Sequence, residues 1–252
     1  MGVPADLHVF AVPGIPEVAT GDDVGRLIAD AVMRSGRSIT AGDVFVVAQK
    51  VVSKAEGAIV ALAGVKPSSL AERWADAHGK DPRVVEVVLR ETRRLVRMER
   101  GIIIAETHHG LVCANAGVDA SNVPAGFVSV LPRDPDTSAA RLRDNLTAIL
   151  GRPISVIISD TFGRPWREGA VNVALGVAGL RPLLDYRGRV DHHGRRLQTT
   201  VIAVADEIAS AAELVTGKAC RMPVAIVSGA AEWCGEGSGR MLLRPASTDL
   251  FR

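Results

Sequence analysis

The chain has 252 residues, of which 47% are hydrophobic and 23% are charged. This composition is typical of a folded globular protein and excludes a disordered one. The 30 lysines and arginines barely outnumber the 28 acidic residues, which argues against a nucleic-acid-binding protein with a basic surface. No apolar run is long enough to cross a bilayer, so we expect no membrane partner.

The cysteines and the amino terminus indicate the compartment. Cys113, Cys220 and Cys234 are odd in number and far apart, with neither metal-ligand spacing nor a disulfide framework. A reducing cytoplasm is therefore expected. The stretch from Met1 to Asp6 lacks the basic and apolar regions of a signal peptide, and we predict a cytoplasmic protein.

The first third of the chain contains an amphipathic helix up to Ser35 and a buried strand over Asp43–Ala48. Lys50 and Lys54 follow that strand, four residues apart. Two ammonium groups on one face suit phosphate oxygens, whereas ordinary solvated lysines are the alternative. The lysines alone do not decide between these readings.

The next elements are predicted mainly as helices. Ser69 and Glu72 have the spacing of a capping box for a helix that ends near His78. A second helix is expected from Arg83 to about Met98, and its basic residues form a solvated face. Beyond it, two short strands flank a turn at 108–110 and form a hairpin, with both histidines facing solvent.

A polar loop follows this hairpin. Asp119, Ser121 and Asn122 place a carboxylate, a hydroxyl and an amide directly after a strand. Asx and Ser turns explain this composition, and a loop that binds a metal and a nucleotide explains it equally well. Both interpretations stay open on these residues alone.

The apolar run from Ile154 to Ile158 predicts a buried strand that ends at Asp160 and Thr161. A loop that contains Arg164 and Arg167 is expected next. Hard oxygen ligands beside two guanidinium groups are suited to a metal-bound polyphosphate. We therefore interpret this stretch as the centre of a functional site, rather than as a solvated strand end.

The remaining pattern indicates a turn over 133–136 with a helix from Thr137 to Leu150, a strand over Gln198–Val204, a helix over Ala205–Lys218, and a strand over Val224–Ser228. Neither a P-loop nor a Rossmann glycine motif occurs. Strands and helices alternate irregularly, with hairpins among them. We therefore predict an α+β fold with mixed or antiparallel sheets.

Taken together, these pieces resemble the coenzyme F420:L-glutamate ligase family, the γ-glutamyl ligases that elongate a deazaflavin coenzyme. The order and spacing of the matching segments are more specific than any one of them. The segments are Val12–Glu17, Val51–Gly57, Asn115–Asn122, Ser159–Arg167, Ala203–Ala209 and Asp249–Arg252.

The resemblance implies a reaction in which GTP activates a carboxylate as an acyl phosphate, which the amine of L-glutamate then attacks. It implies two divalent cations, Mg²⁺ or Mn²⁺, with K⁺ as a further candidate ion. Asp119, Asp160 and Thr161 would hold metal. The nucleotide would contact Ile15, Pro16, Glu17, Val18, Gln49, Lys54, Asn122, Thr216, Gly217 and Lys218.

Catalytic roles are expected for Lys54, on the phosphates by resemblance, and for Arg164 and Arg167. The two arginines are hypothesised as phosphate or carboxylate clamps because they lie close to Asp160 in sequence. Gln49 departs from the family, whose members often have serine there. The longer relatives also carry a nitroreductase-like domain that residues 1–252 lack.

The resemblance implies a single catalytic unit of two interwoven lobes, in an intertwined homodimer that acts on coenzyme F420-0. Three alternatives remain. One is a metal-dependent nucleotide phosphohydrolase that uses the same carboxylates, another is a ligase of the same chemistry on a different acceptor, and the third is a non-catalytic nucleotide-binding relative.

Overall fold

A five-stranded sheet forms the centre of the computed structural model, which describes residues 6–250. The strands of the described residues are β1 His8–Ala11, β2 Val44–Ala48, β3 Ile59–Ala61, β4 Thr92–Glu99, β5 Ile102–Thr107, β6 Val112–Ala114, β7 Phe127–Ser129, β8 Ser155–Arg164, β9 Arg167–Ala178, β10 Leu184–Asp185, β11 Val201–Ile202 and β12 Val224–Ser228. The central sheet has the order β1-β12-β2-β8-β9. Only β2 and β8 are parallel, and the other pairs in this sheet are antiparallel.

Six α-helices lie within the described residues. They are α1 Val24–Ser35, α2 Gln49–Ala55, α3 Ser69–His78, α4 Pro82–Arg90, α5 Pro135–Leu150 and α6 Val204–Thr216. One core lies between the sheet and the pair α1 and α5, and a second core lies between the opposite face and α6. A third core is built from α3, α4 and the strands β5 and β7, so a second lobe has its own apolar centre.

Helix starts agree with simple capping chemistry. The Asp23 side chain accepts a hydrogen bond from the backbone of Arg26 at the start of α1, and Asp134 accepts one from Thr137 at the start of α5. Pro135 occupies the first turn of α5, where a missing N–H costs nothing. The turn predicted over 133–136 is therefore wrong in its second half, since the helix already begins at Pro135.

Two predictions in the second lobe are wrong. The helix expected from Arg83 to Met98 ends at Arg90, and β4 follows from Thr92. Pairing of β4 with β5 outweighs the helical spacing of its charged residues. The capping box at Ser69 is also wrong, because Ser68 caps α3 and accepts from the backbone N–H of Ala71.

The strand around Asp160 is longer than the sequence suggested. Asp160 and Thr161 lie inside β8, not at its end, and the expected loop is a β-hairpin. The hairpin turns at Pro165 and Trp166, and Trp166 has a left-handed backbone with φ of 59°. The apolar pattern stops at Ile158, but backbone pairing with β9 continues to Arg164.

The strand predicted over Gln198–Val204 is reduced to β11, because Val204 already begins α6. Residues 1–5 and 251–252 lie outside the described residues. The amino-terminal stretch and the last two family-like residues therefore have no structural account. Within 6–250, no helix is both long and apolar enough to cross a membrane. The predicted α+β class is confirmed, whereas the intertwined dimer and interwoven lobes stay predictions.

Candidate functional site

The site begins at the junction of β2 and α2. The chain leaves the sheet at Ala48 and turns at once into helix, which directs Lys50 toward the loop after β6. The Lys50 Nζ lies 2.5 Å from Oδ2 of Asp119 and 2.5 Å from Oγ of Ser121. The sequence indicated a functional role for Lys50 only weakly, but its ammonium contacts two polar side chains of this loop.

Asp119 is fixed by backbone pairing as well as by charge. Its N–H donates to Ser129 O at 3.0 Å, and its carbonyl accepts from Ser129 N at 2.8 Å, which ties the loop to β7. Burial works to raise the pKa of Asp119, but the Lys50 ammonium and the N–H of Ser121 together hold that pKa below its usual value. The carboxylate is thus ionised and oriented.

Asp160 is the second carboxylate of the site. Its side chain makes no ion pair within the described residues, and burial raises its pKa to about 6. The backbone N–H of Thr161 and the Lys50 ammonium oppose that rise, whereas the charge of Asp119 adds to it. Its charge acts on the buried thiol of Cys113, which places β6 beside β8. A desolvated carboxylate that makes no direct ion pair is a natural ligand for a cation.

Thr161 points to the opposite face of β8, toward the carboxyl end of α6. Its hydroxyl donates to Oδ1 of Asn172 on β9 at 2.7 Å and accepts from the Lys218 ammonium. Lys218 also pairs with Glu213 at 2.8 Å. Asn172 was missed in the sequence, because only the strand register reveals that it lies opposite Thr161.

The residues present fit a divalent cation. Asp119, Asp160 and Thr161 supply only oxygen donors, which suit Mg²⁺ and Mn²⁺. Within residues 6–250, no three His, Cys, Asp or Glu side chains converge in the manner of a metal cluster. The predicted metal donors are therefore two carboxylates and one hydroxyl, with the ammonium groups of Lys50 and Lys218 beside them.

The proline-rich segment lies next to α2. Ile15 and Val18 are buried in the core, so their side chains serve packing and only their backbone is left to face a ligand. Pro16 and Glu17 are exposed, and Glu17 forms an ion pair with Lys54. The structure thus joins this segment to the predicted phosphate-binding lysine.

Three other predicted nucleotide contacts differ in their surroundings. Gln49 is almost fully buried, accepts from the Ser53 hydroxyl at 2.7 Å, and leaves its Nε2 without a partner among the described residues. Asn122 is exposed in a left-handed conformation with φ of 55°. The Thr216 hydroxyl bonds back to Ala212 O at 3.2 Å, at the end of α6.

Gly217 ends α6 and donates to Glu213 O at 3.0 Å, which brings Lys218 back over β8.

The two arginines proposed as clamps lie on the β8–β9 hairpin. Arg164 donates to the carbonyls of Glu168 at 2.6 Å and Gly169 at 3.3 Å, so its guanidinium holds the hairpin together. Arg167 is exposed, and a catalytic role for either arginine stays a prediction.

Known proteins resemble this chain over nearly its whole length. The family described as F420-0:Gamma-glutamyl ligase matches residues 14–229. A coenzyme F420:L-glutamate ligase of Methanothermobacter thermautotrophicus is 47% identical over 98% of this chain and 99% of its own length. The ligase of that name from Methanopyrus kandleri is 46% identical over the full length of both chains. The one from Archaeoglobus fulgidus is 39% identical over 98% of this chain and 96% of its own.

The match spans every segment that contributes to the cluster, from the proline-rich stretch to the strand after α6. The cluster of oxygen donors and ammonium groups thus lies within the region that defines the family. The chain belongs to the F420-0:gamma-glutamyl ligase family, whose members are amide-forming ligases of coenzyme F420 biosynthesis.

Proposed function

We propose that this chain uses GTP to join L-glutamate to coenzyme F420-0 through an amide bond. The observation that carries the proposal is that Lys50 pairs with Asp119 and Lys218 contacts Thr161, while the charges of Lys50, Asp119 and Lys218 all act on Asp160. Their mixture of hard oxygen donors and cations is what a metal-bound triphosphate requires.

In the proposed reaction, the γ-phosphoryl group of GTP passes to a carboxylate of the acceptor, and GDP leaves. The amine of glutamate then attacks the acyl carbon, and phosphate departs as the amide forms. Asp119, Asp160 and Thr161 would hold two divalent cations, Mg²⁺ or Mn²⁺, which would neutralise phosphate charge. K⁺ is retained as a further candidate ion.

The lysines act on charge that develops during phosphoryl transfer. Lys50 and Lys218 lie on the oxygen donors of the site, and Lys54 is held nearby by Glu17. Fixed cations stabilise a transferring phosphoryl group because they need little reorganisation as the reaction proceeds. Arg164 and Arg167 are proposed to close over the same phosphates from the hairpin.

We also propose a homodimer in a reducing cytoplasm. The β8–β9 hairpin ends in an exposed tip, where Trp166 is 81% accessible to solvent. Tryptophan is among the residues enriched at protein–protein interfaces. Light scattering coupled to size-exclusion chromatography should give twice the chain mass of 26.5 kDa if the protein is a dimer. A measured mass equal to that of one chain would contradict the dimer.

The function is tested with a product assay. Purified protein is incubated with F420-0, L-glutamate, GTP and Mn²⁺, and coenzyme mass is followed together with GDP release. Growth by glutamyl units, matched by GDP, supports the ligase. GDP release at full rate without glutamate, and with no change in coenzyme mass, would instead identify a phosphohydrolase.

The variant for this assay is Asp160→Asn, which keeps the side-chain volume and removes the charge. We expect this variant to lose turnover and to bind Mn²⁺ more weakly. Electron paramagnetic resonance measures the Mn²⁺ binding. Asp144→Asn is the matched control, since Asp144 is exposed and, among the described residues, pairs with its neighbour Arg143. Equal activity of both variants would remove Asp160 from the mechanism.

A further inference from the structure

A cleft lined by none of the predicted site residues lies between the turn after β5, the segment after β7 and the start of α5. It consists of two adjoining cavities of about 380 and 460 Å³. They share His108, His109 and Arg133. The first cavity is completed by the α5 start and the turn at 239–243, and the second by residues 56–58, Glu91 and the segment after β7.

The first cavity is basic. Arg133 and Arg240 line it, and Asp136 is the only carboxylate that does so among the described residues. Asp136 is already used by the backbone: its Oδ1 accepts from Val177 N at 2.9 Å and from Gly239 N at 2.5 Å. Its charge is therefore largely committed, and the two guanidinium groups are left for an anion.

The guanidinium groups of Arg133 and Arg240 make few contacts with other side chains among the described residues. Arg133 is exposed and forms no ion pair within residues 6–250, and Arg240 makes only a long contact of 3.5 Å with Asp134. Guanidinium groups bind carboxylate and phosphate oxygens in paired hydrogen bonds. The cavity thus offers two separate anchors for an acidic ligand.

His109 adds a polar atom without a partner. Its Nε2 bonds to Pro132 O at 2.9 Å, whereas its Nδ1 is buried and has no partner among the described residues. Buried polar atoms are rarely left unsatisfied unless a ligand or water completes them. This histidine was predicted to face solvent, but it is partly buried in the wall of the cleft.

Apolar side chains line the rest of the first cavity. Leu111, Leu175 and Leu243 face it together with Pro135. Cavities that bind organic ligands combine such an apolar lining with a few directed polar groups. A ligand with a flat ring and an anionic tail matches this combination better than a small amino acid does.

The walls of the cleft lie next in sequence to the segments that hold the two aspartates. Leu111 directly precedes β6, which packs against β8, the strand of Asp160. The second cavity is lined by Val130 and Leu131, which directly follow Ser129, the backbone partner of Asp119. A ligand in the cleft is therefore held by segments that neighbour those of the two aspartates.

We propose that this cleft binds the acceptor, with the anionic tail of the deazaflavin on Arg133 and Arg240 and its ring on the leucines. The proposal rests on the proposed ligase function. The volume of the two cavities fits the acceptor better than glutamate, because cavities of about 300–1,000 Å³ hold ligands far larger than one amino acid. The nucleotide is assigned to the neighbouring cluster of lysines and aspartates.

The test measures binding of F420-0 and of GTP separately, by equilibrium dialysis with absorbance detection. Arg133→Gln and Arg240→Gln are compared with Arg152→Gln, an exposed control at the other end of α5. Each cleft variant should weaken F420-0 binding about tenfold or more, the usual effect of losing a charged hydrogen bond. Arg152→Gln should not, and GTP binding should be unchanged in all three.

The outcomes separate the two proposals. Wild-type binding of F420-0 that both cleft variants retain overturns the cleft assignment and leaves the ligase intact. Loss of GTP binding in the cleft variants overturns it too, since the cleft would then hold the nucleotide. Wild-type protein that neither binds nor extends F420-0 overturns the proposed function, and the cleft assignment with it. Arg133→Lys, which keeps the charge, should recover part of the lost affinity.

Discussion

The Lys50 ammonium and the Asp119 carboxylate meet at 2.5 Å, although 69 residues separate them in sequence. Lys50 lies in the first turn of α2, directly after β2 of the central sheet, and Asp119 follows β6 in the second lobe. The ion pair therefore connects the central sheet to the second lobe. Two charged residues of the site thus lie where these two parts of the chain meet.

Replacing Lys50 by Met should weaken GTP binding about tenfold or more, because a charged hydrogen-bond donor to phosphate is lost. Removing the ammonium also leaves the Asp119 carboxylate without its counter-ion. The negative charge of that carboxylate then repels an incoming triphosphate. Calorimetric titration with GTP measures the effect. Lys66→Met is the matched control, since Lys66 is exposed in the second lobe, and equal affinity of both variants would exclude Lys50 from the nucleotide site.

Gly176 on β9 allows the start of α5 to approach the sheet. A Cβ at this position would lie 2.2 Å from the carbonyl oxygen of Pro135. Since a backbone atom cannot move aside cheaply, Gly176→Ala should destabilise the protein by about 1–3 kcal/mol or more. Urea unfolding measures the loss.

Gly163 on β8 provides the comparison for Gly176. A Cβ there meets nothing within 4 Å, so Gly163→Ala should leave the free energy of unfolding close to that of the wild type. Equal stability of the two alanine variants would show that the close approach of α5 to β9 is not required.

The three cysteines should react at very different rates. Burial, followed by the charge of Asp160, raises the pKa of Cys113 to about 12, so its thiolate is scarce near neutral pH. Cys220 is exposed and Cys234 is partly buried. Iodoacetamide labelling followed by peptide mass spectrometry should modify Cys220 first and Cys113 last, and early modification of Cys113 in folded protein contradicts the packing of β6.

Asp206 should make stability depend on pH. Burial raises its pKa above the ordinary value of 3.8, although the N–H of Ala174 donates to it at 2.8 Å and opposes the rise. The folded state therefore binds this proton more tightly than the unfolded state does. Stability from this group is present below pH 3.8 and is lost as pH rises through the folded-state pKa.

Asp206→Asn keeps an oxygen acceptor for Ala174 and removes the titration. The difference in unfolding free energy between wild type and variant should shift in favour of the variant as pH rises through that window. Urea unfolding at a series of pH values measures it. Glu207→Gln, on the exposed neighbour, is the control, and a difference that does not vary with pH would refute the assignment.

Local patterns predicted the elements whose signals lie within one segment. The helix ending at Ser35 and the strand Val224–Ser228 have regular apolar spacing, and both are confirmed. The helix from Arg83 to Met98 failed because β4 is stabilised by a partner strand, which local spacing does not report. The extent of β8 was missed for the same reason, since its polar half is held by β9.

The chemical character of the site could be predicted further than its geometry. The two aspartates, Thr161 and the lysines stand out as residue types suited to phosphate chemistry, and the structure brings Lys50 to Asp119 and Lys218 to Thr161. Asn172 and the basic cleft were missed. Arg133, Arg240 and His109 come from three separate segments, and only the tertiary fold shows that they line one cavity.

The single parallel pair in the central sheet, β2 with β8, has a consequence for folding. These strands are joined through the entire second lobe, so their pairing must wait until a long loop has closed. Lys50 follows β2 and Asp160 lies on β8, so pairing of these two strands brings the two residues into their native arrangement. During refolding, the recovery of nucleotide binding should therefore lag behind the recovery of helical signal, which makes ligand binding a reporter of the last step in folding.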